Sequence, residues 1–239
     1  MAILYRGDGT PIEVGGTARI PSRLNGADVI FFGDSNVSCS AGKTANDVGS
    51  FYQRLSIEFS INSWHNMGVS GHNTWQGWVA FQAWATDEMV AQYNKESTMF
   101  LFWYGTNDER NSWEHEYDGI ENQTYATNGV GFISKLIAEK FPKAFYAWVI
   151  PPITDWTKWK FYGEDTKEYY AARNMAEKAP LIITNLEKWG FPYLDMYHQS
   201  GIAPDMLSDG VHLGGGTYDY TTDAVYRAYR VLREYLMSK

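Results

Sequence analysis

Two segments far apart in the chain carry residues that together could cleave an ester. Ser35 offers a hydroxyl nucleophile, and Gly33 before it permits a tight turn with close backbone approach. His212 offers an imidazole, the side chain type that most readily exchanges protons near neutral pH. Asp209 lies three residues before His212, so a short loop can turn both side chains the same way. We therefore predict Ser35 as nucleophile, His212 as base and Asp209 as the acid that orients the ring.

Acyl transfer at a serine also needs hydrogen-bond donors for the oxyanion that develops on the substrate. Suitable donors are the backbone amides of Ser35 and Gly71 and the side-chain amide of Asn107. The carboxylates beside these positions have a plainer interpretation. Asp34 and Asp108 are expected to brace their loops through hydrogen bonds to the backbone.

Each candidate also has a structural interpretation. Ser35 could cap a helix or a turn, His212 could be a hydrogen-bonded core histidine, and Asn107 could be a turn residue. Asp209 could merely cap its loop, in which case Asp205 would be the orienting acid. The catalytic interpretation is favoured because all the required residue types occur together in one chain.

The elements that must position these residues follow from hydrophobic periodicity. Short apolar runs predict strands at 28–32, 63–69, 99–104, 145–150 and 191–196. Helical periodicity predicts helices near 48–59, 79–90, 130–137, 167–189 and 224–236, the fourth interrupted at Pro180. This alternation predicts an α/β fold, a three-layer α/β/α sandwich with a five-stranded parallel sheet of flavodoxin-like order. Ligands bind at the carboxyl ends of such strands, where the candidate residues would share one rim.

The candidate segments, in their order along the chain, resemble the sequence blocks of the SGNH hydrolase superfamily, the GDSL-type lipases and esterases. The residues that carry the resemblance are Gly33-Asp34-Ser35 for the first block, Asn66, Gly68, Gly71 and Thr74 for the second, Gly105-Thr106-Asn107-Asp108 for the third, and Asp209-Gly-Val-His212-Leu213 for the fifth. Asn36 departs from the namesake pattern, which has leucine there. The resemblance spans residues 28–213 and implies the SGNH hydrolase fold. It implies a nucleophile at Ser35, oxyanion donors at Gly71 and Asn107, and an acid–base pair at Asp209 and His212.

The length of the chain allows one α/β domain or two small ones, with 239 residues in all. We predict that residues 28–239 form the hydrolase domain. Residues 1–27 are rich in glycine, proline and polar residues and are predicted to form an N-terminal arm or a short hairpin.

Charge and hydropathy argue against several classes of partner. The formal net charge of −8 disfavours nucleic acid and anionic membranes, because phosphate binding needs basic patches. No apolar run approaches the ~18 residues needed to span a bilayer. Residues 1–16 show no signal peptide pattern. The single cysteine, Cys39, excludes a disulfide within the chain, which suits a reducing compartment and a secreted enzyme alike. The predicted location is therefore either the cytoplasm or, after processing, the cell exterior or surface. No cofactor is expected, and a metal site is disfavoured because no spaced ligand motif supports it.

The aromatic residues suggest which ester is cleaved. The chain has 10 tryptophans and 17 tyrosines, and aromatic faces beside polar groups suit sugar rings. The candidate substrate-binding residues are His72, Trp75, Trp103 and Trp156, each with core or rim packing as the alternative. Residues 109–128 are polar and acidic, unlike the apolar lid of a lipase. We therefore predict a serine esterase that removes acetyl or acyl groups from a carbohydrate, with a small-molecule or oligosaccharide ester as substrate.

Other functions fit the same residues. A lipase, a lysophospholipase or a thioesterase would use the same chemistry on another substrate. A glycan-binding module without catalysis is an alternative of a different class. The presence of every catalytic side chain favours the enzyme over the binding module.

Overall fold

Seven strands form two sheets in the part of the chain that this computed structural model describes, namely residues 3–5, 11–13, 24–38, 51–121, 124–158, 172–213 and 223–239. The strands are β1 (Ile3–Tyr5), β2 (Pro11–Glu13), β3 (Asp28–Gly33), β4 (Ser63–Gly68), β5 (Thr98–Trp103), β6 (Phe145–Ile150) and β7 (Tyr193–Asp195). β1 and β2 pair antiparallel, while the other five strands form one parallel sheet in the order β4-β3-β5-β6-β7. The predicted five-stranded parallel sheet of flavodoxin-like order is confirmed.

The three strands at the centre of the site end level with one another. Gly33, the last residue of β3, pairs with Gly68 at the end of β4 and with Trp103 at the end of β5. The segments that follow these strands therefore leave the sheet side by side. This register brings residues from three distant parts of the sequence to one rim.

Helices cover both faces of the parallel sheet. They are α1 (Ser35–Ser38), α2 (Phe51–Glu58), α3 (Thr74–Trp84), α4 (Asp87–Tyr93), α5 (Asn111–Glu114), α6 (Ala126–Lys140), α7 (Met175–Lys188), α8 (Met196–Gln199) and α9 (Asp223–Met237), with single 3₁₀ turns at Trp156–Lys158 and Pro204–Met206. Among the described residues, no helix is long and apolar enough to cross a membrane.

The side chains of each strand point alternately to the two faces of the sheet, and this produces two separate hydrophobic cores. Val29 and Phe31 of β3 pack with α2 and α9 on one face of the sheet. Ile30 and Phe32 pack with α3, α4, α6 and α7 on the other. Because successive side chains of a strand point to opposite faces, fully apolar strands suit this burial on both sides. The predicted three-layer sandwich is thereby confirmed.

The helix predicted near 79–90 is in fact two helices. α3 begins at a capping box, in which the Asn73 side chain accepts from the Gln76 backbone and the Gln76 side chain accepts from the Asn73 backbone. α4 has its own N-cap, because the Thr86 hydroxyl accepts from the Met89 amide. The single-helix prediction was wrong because Thr86 provides a new helix start within the apolar pattern.

The predicted interruption at Pro180 was also wrong. α7 runs without a break from Met175 to Lys188 with Pro180 inside it. Proline removes the donor for the carbonyl four residues earlier, here that of Ala176. Both residues are exposed, so water can satisfy this carbonyl and the helix continues. Residues 167–171 of the predicted helix lie outside the described residues.

The chain enters β3 through residues that already belong to the core. Leu24 and Ala27 are buried, and the Gly26 amide donates to the Ser60 carbonyl over 2.9 Å. Of residues 1–23, the structure describes β1 and β2. The division into residues 1–27 and 28–239 stays a prediction.

Candidate active site

Ser35 lies at the turn between β3 and α1, where the chain leaves the sheet. The Asp34 carbonyl accepts the amides of Val37 (3.0 Å) and Ser38 (2.9 Å), and the Asp34 carboxylate accepts the Asn36 amide (2.8 Å). Asp34 thus closes the turn from both its backbone and its side chain, as predicted for a loop brace. Ser35 is consequently fixed as the first residue of α1.

Two glycines allow α1 to sit directly against the strand ends. A Cβ on Gly33 would lie 2.2 Å from Val37 Cγ2, and a Cβ on Gly68 would lie 2.3 Å from the Ser38 nitrogen. Asn66 adds polar support, because its side chain donates to the Val37 carbonyl (2.6 Å) and accepts the Gly68 amide (2.9 Å). The end of β4 is therefore the platform on which the Ser35 turn rests.

The structure brings Ser35, His212 and Asp209 into one hydrogen-bonded chain. The Ser35 hydroxyl lies 2.7 Å from His212 Nε2, and His212 Nδ1 lies 2.7 Å from Asp209 Oδ2. Asp209 Oδ1 also accepts the backbone amides of Val211 (2.9 Å) and His212 (2.8 Å). Asp205, the other candidate acid, is exposed. The contact with the ring is therefore made by Asp209.

Electrostatics set the direction of these hydrogen bonds. Burial alone would raise the pKa of the Asp209 carboxyl, but hydrogen bonds from the His212 ring and from two backbone amides hold that pKa below its usual range. Asp209 is therefore an acceptor at neutral pH, and Nδ1 of His212 donates to it. Nε2 then carries the lone pair that accepts the proton of Ser35.

Asn107 and Gly71, two of the predicted oxyanion donors, lie on neighbouring segments. The Asn107 side-chain amide donates to the His72 carbonyl over 3.0 Å, which ties the segment after β5 to the loop that contains Gly71. An amide nitrogen carries two hydrogens, so one remains after this bond. Gly71 has φ +81°, with no heavy atom within 4 Å of an added Cβ. It therefore lies in open space at the rim, in a backbone conformation that favours glycine.

Asp108 connects the segment after β5 to the start of α3. Its carboxylate accepts the Thr74 amide (3.1 Å) and the Thr74 hydroxyl (2.8 Å). Asp108 is buried, and burial raises its pKa. The structure thus gives Asp108 the bracing position expected from the sequence.

Lys178 is a residue of this region that the sequence analysis missed. It lies on α7 with its side chain fully buried, and its ammonium donates to the carbonyls of Gly105, Thr106 and Asp108. A signal was available in the spacing. Met175, Lys178, Ala179, Ile182 and Leu186 follow helical periodicity, and this places the lysine on the buried face.

Two of the four candidate substrate-binding residues are buried. Trp103 is 0% exposed and packs in the core beneath the sheet. Trp156 is 5% exposed in the turn that supports the His212 loop, where the Asp155 amide donates to the Gly210 carbonyl (2.6 Å). This burial favours the packing interpretation of Trp103 and Trp156, because aromatic content alone does not distinguish packing from exposure.

The other two candidates are partly exposed. His72 lies in the Gly71 loop, and burial lowers the pKa of its ring. Trp75 follows on the first turn of α3, with its ring against that of Phe132 at a centroid distance of 6.1 Å. Both residues therefore lie on the stretch that connects the Gly71 loop to α3 and keep surface for a ligand.

A second Asp–His pair occurs at the end of β7. His198 Nδ1 lies 2.6 Å from Asp195 Oδ2, and the His198 amide donates to Asp195 Oδ1 (3.1 Å). The spacing of three residues matches that of Asp209 and His212, but the His198 side chain is 56% exposed against 12% for His212. Among the described residues, no group of three His, Cys, Asp or Glu side chains could hold a metal ion.

Comparison with solved structures identifies the fold, whereas no family model and no curated protein matches the sequence. A protein from Lactobacillus plantarum has a TM-score of 0.58 and 15% identity, with 90% of this chain and 98% of that chain covered. A protein described as a GDSL-like lipase from Parabacteroides merdae has a TM-score of 0.56 and 17% identity over 89% and 97% of the two chains. Axe2, an acetylxylan esterase from Geobacillus stearothermophilus, has a TM-score of 0.56 and 14% identity over 91% and 96%. The chain therefore has the SGNH hydrolase fold, the α/β sandwich of GDSL-type lipases and esterases.

Proposed function

We propose that this protein is a serine hydrolase that cleaves carboxylic esters. The observation that carries the proposal is the chain of contacts from Ser35 Oγ to His212 Nε2 (2.7 Å) and from His212 Nδ1 to Asp209 Oδ2 (2.7 Å). Both distances lie within the range needed for a nucleophile, a base and an orienting acid. The fold shared with a GDSL-like lipase and an acetylxylan esterase agrees with this chemistry.

The arrangement supports a two-step mechanism. His212 Nε2 takes the proton of Ser35 while Oγ attacks the ester carbonyl carbon. The amides of Ser35 and Gly71 and the side chain of Asn107 would donate to the resulting oxyanion. The C–O bond to the alcohol then breaks, and the leaving oxygen takes the proton from His212. Water, deprotonated by His212, attacks the acyl-enzyme, and Ser35 recovers its proton as the acid leaves.

Variants of Axe2 support this assignment of roles. Structures similar to this chain include catalytic mutants of Axe2 in which a serine, an aspartate or a histidine is replaced by alanine. The aspartate and the histidine are three positions apart in Axe2, which is the spacing of Asp209 and His212 here. We assign the corresponding roles to Ser35, Asp209 and His212.

For the substrate we propose an O-acetylated or O-acylated carbohydrate. Axe2 is an acetylxylan esterase, and the partly exposed His72 and Trp75 give this rim an aromatic and polar wall suited to a sugar. Glu109 and Glu114, beyond the Asn107 segment, are exposed and form ion pairs with Arg173 (3.0 Å) and Arg110 (2.7 Å). A polar, charged border suits a hydroxylated substrate better than a long acyl chain.

Covalent labelling tests the reaction class. A fluorophosphonate probe should label the wild type and not Ser35→Ala, because the probe reacts with an activated serine. Wild type without label, or Ser35→Ala labelled to the same extent, would contradict the esterase and favour a glycan-binding module. Thermal unfolding of both proteins controls for loss of folding.

Hydrolysis of substrate series tests the substrate class. Acetylated xylo-oligosaccharides should release acetate, and p-nitrophenyl acetate should be cleaved with a higher kcat/KM than the octanoate and palmitate esters. Trp75→Ala should raise KM for the oligosaccharide and leave p-nitrophenyl acetate unaffected. Preference for long acyl chains with no acetate release from sugars would favour a lipase instead.

A further inference from the structure

Lys178 is a charged side chain in a place where charge is costly. The residue is 0% exposed, and its ammonium donates to the carbonyls of Gly105 (2.7 Å), Thr106 (3.0 Å) and Asp108 (2.8 Å). An ammonium has three N–H donors, so these contacts use its full capacity. Burial of a cation is unfavourable unless its donors are satisfied, and the three carbonyls meet that requirement.

The carbonyls that Lys178 binds surround Asn107. Gly105 and Thr106 precede it and Asp108 follows it, and a further buried donor, the Trp148 indole, binds the Tyr104 carbonyl (3.2 Å). The backbone on both sides of Asn107 is therefore fixed from beneath. The Asn107 side chain is free of these contacts and donates toward the Gly71 loop.

The charges around Lys178 show that its ammonium is not simply half of an ion pair. Asp108 and Asp34 raise its pKa and Arg173 lowers it, while Glu109 contributes a further negative charge. Burial is the largest influence and lowers the pKa to about 7. Among the ion pairs of the described residues, none within 4.0 Å involves Lys178. Its direct partners are the three backbone carbonyls, so its donors act on the loop that carries Asn107.

We propose that Lys178 is a positioning residue of the oxyanion hole, which holds Asn107 in place through the flanking carbonyls. This inference rests on the proposed esterase function. Three donors from one ammonium fix the backbone on both sides of Asn107 at once. Fixing a donor in advance is what makes it effective in catalysis.

The first test replaces Lys178 by methionine, which keeps a stem of similar length without donors or charge. We expect kcat for p-nitrophenyl acetate to fall about tenfold or more, with KM changed by less than about threefold, because the interaction operates in the transition state. Leu186→Ala is the matched control, since it opens the same helix in the same core away from Asn107. It should lower thermal stability and leave kcat near the wild-type value.

A double-mutant cycle separates positioning from a general structural effect. If Lys178 acts through Asn107, the Lys178→Met change should cost little kcat when Asn107 is already alanine. Independent effects would multiply in the double variant. Lys178→Gln, which restores an uncharged donor, should recover part of the loss and serves in the cycle if the methionine variant does not fold.

The outcomes distinguish the inference from the proposed function. An inactive wild type would contradict the esterase itself. An active wild type with kcat retained in a folded Lys178→Met or Lys178→Gln variant would overturn the role of Lys178 alone. Losses of kcat that multiply with Asn107→Ala, or that equal those of Leu186→Ala at matched stability, would also overturn it.

Discussion

Asp209 and Asp34, two carboxylates near Ser35, have different environments, and these environments set their roles. Asp209 receives hydrogen bonds from a ring and two amides, which hold its pKa below the usual range despite burial. Asp34 is fully buried, and burial raises its pKa to about 6 even though the Asn36 amide and the Thr106 hydroxyl favour its charged form. Asp209 is thus suited to hold a cationic imidazole, whereas Asp34 is suited to bracing.

Replacement of Asn107 by alanine should mainly affect the transition state. Loss of one oxyanion donor typically lowers kcat by about 10²–10³-fold, and KM should change little. Steady-state kinetics with p-nitrophenyl acetate would measure both. A large rise in KM with an unchanged kcat would make Asn107 a substrate-binding residue instead.

Asp34→Asn should change how stability depends on pH. The pKa of Asp34 is raised from 3.8 to about 6, so the folded state holds this proton more tightly than the unfolded state. The resulting stability is fully present below about pH 4 and is lost as the pH rises through 6. The variant should therefore equal the wild type near pH 4 and exceed it at pH 7 by roughly 1–3 kcal/mol. Urea unfolding at pH 4 and pH 7 measures the free energy of unfolding of both proteins. The same stability difference between variant and wild type at the two pH values would contradict the prediction.

At the level of secondary structure, level strand ends and close packing create the site. β3, β4 and β5 end in register at Gly33, Gly68 and Trp103. The apolar runs of the strands were readable from the sequence because burial on both faces leaves a continuous hydrophobic pattern. The residues after each run could therefore be assigned to one rim.

Contacts between distant segments could not be predicted from the sequence in the same way. Lys178 reaches the Asp108 carbonyl across 70 residues of sequence, and no local pattern specifies that partner. Trp103 and Trp156 resemble rim aromatics by composition, and their burial depends on which way the strand and the turn face. The break between α3 and α4 depends on one cap at Thr86, which an apolar period does not reveal.

Gly68→Ala should test the packing of β4 against α1. The added Cβ would lie 2.3 Å from the Ser38 nitrogen, so α1 must shift and Ser35 with it. We expect a loss of stability of about 1–3 kcal/mol and a drop in kcat of about tenfold. Unfolding curves and steady-state kinetics give the two values.

Gly190→Ala provides the control for this substitution. Gly190 has φ +60° and no atom within 4 Å of an added Cβ, so alanine there adds backbone strain without a clash near the site. It should cost about 1–2 kcal/mol and keep kcat. Equal effects of the two substitutions on kcat would contradict the link between β4 and Ser35.

On the scale of the whole molecule, the parallel sheet separates two cores that must both be complete. The core toward α2 and α9 includes Leu24, which precedes β3, together with Leu232 and Leu236 from the far end of the chain. The fold therefore joins residue 24 to the C-terminal helix. The active-site rim lies at one end of both cores and depends on each.

Leu24→Ala should destabilise the molecule without altering its chemistry. Removal of a buried leucine side chain typically costs about 2–5 kcal/mol. Leu24 lies away from Ser35 in the core, so kcat of the folded protein at low temperature should stay at the wild-type value. Calorimetry and kinetics on the same sample would show this, and an unchanged Tm would exclude Leu24 from the cooperative core.

The pair of Asp195 and His198 has a consequence for chemical modification. A histidine-directed acylating reagent such as diethyl pyrocarbonate meets the His198 side chain at 56% exposure and His212 at 12%. His115 is exposed as well. The first equivalents of reagent should therefore be consumed at His198 and His115 with little inactivation, and activity should disappear only as later equivalents react. A plot of residual activity against groups modified would then begin with a plateau, and His198→Gln would shorten that plateau.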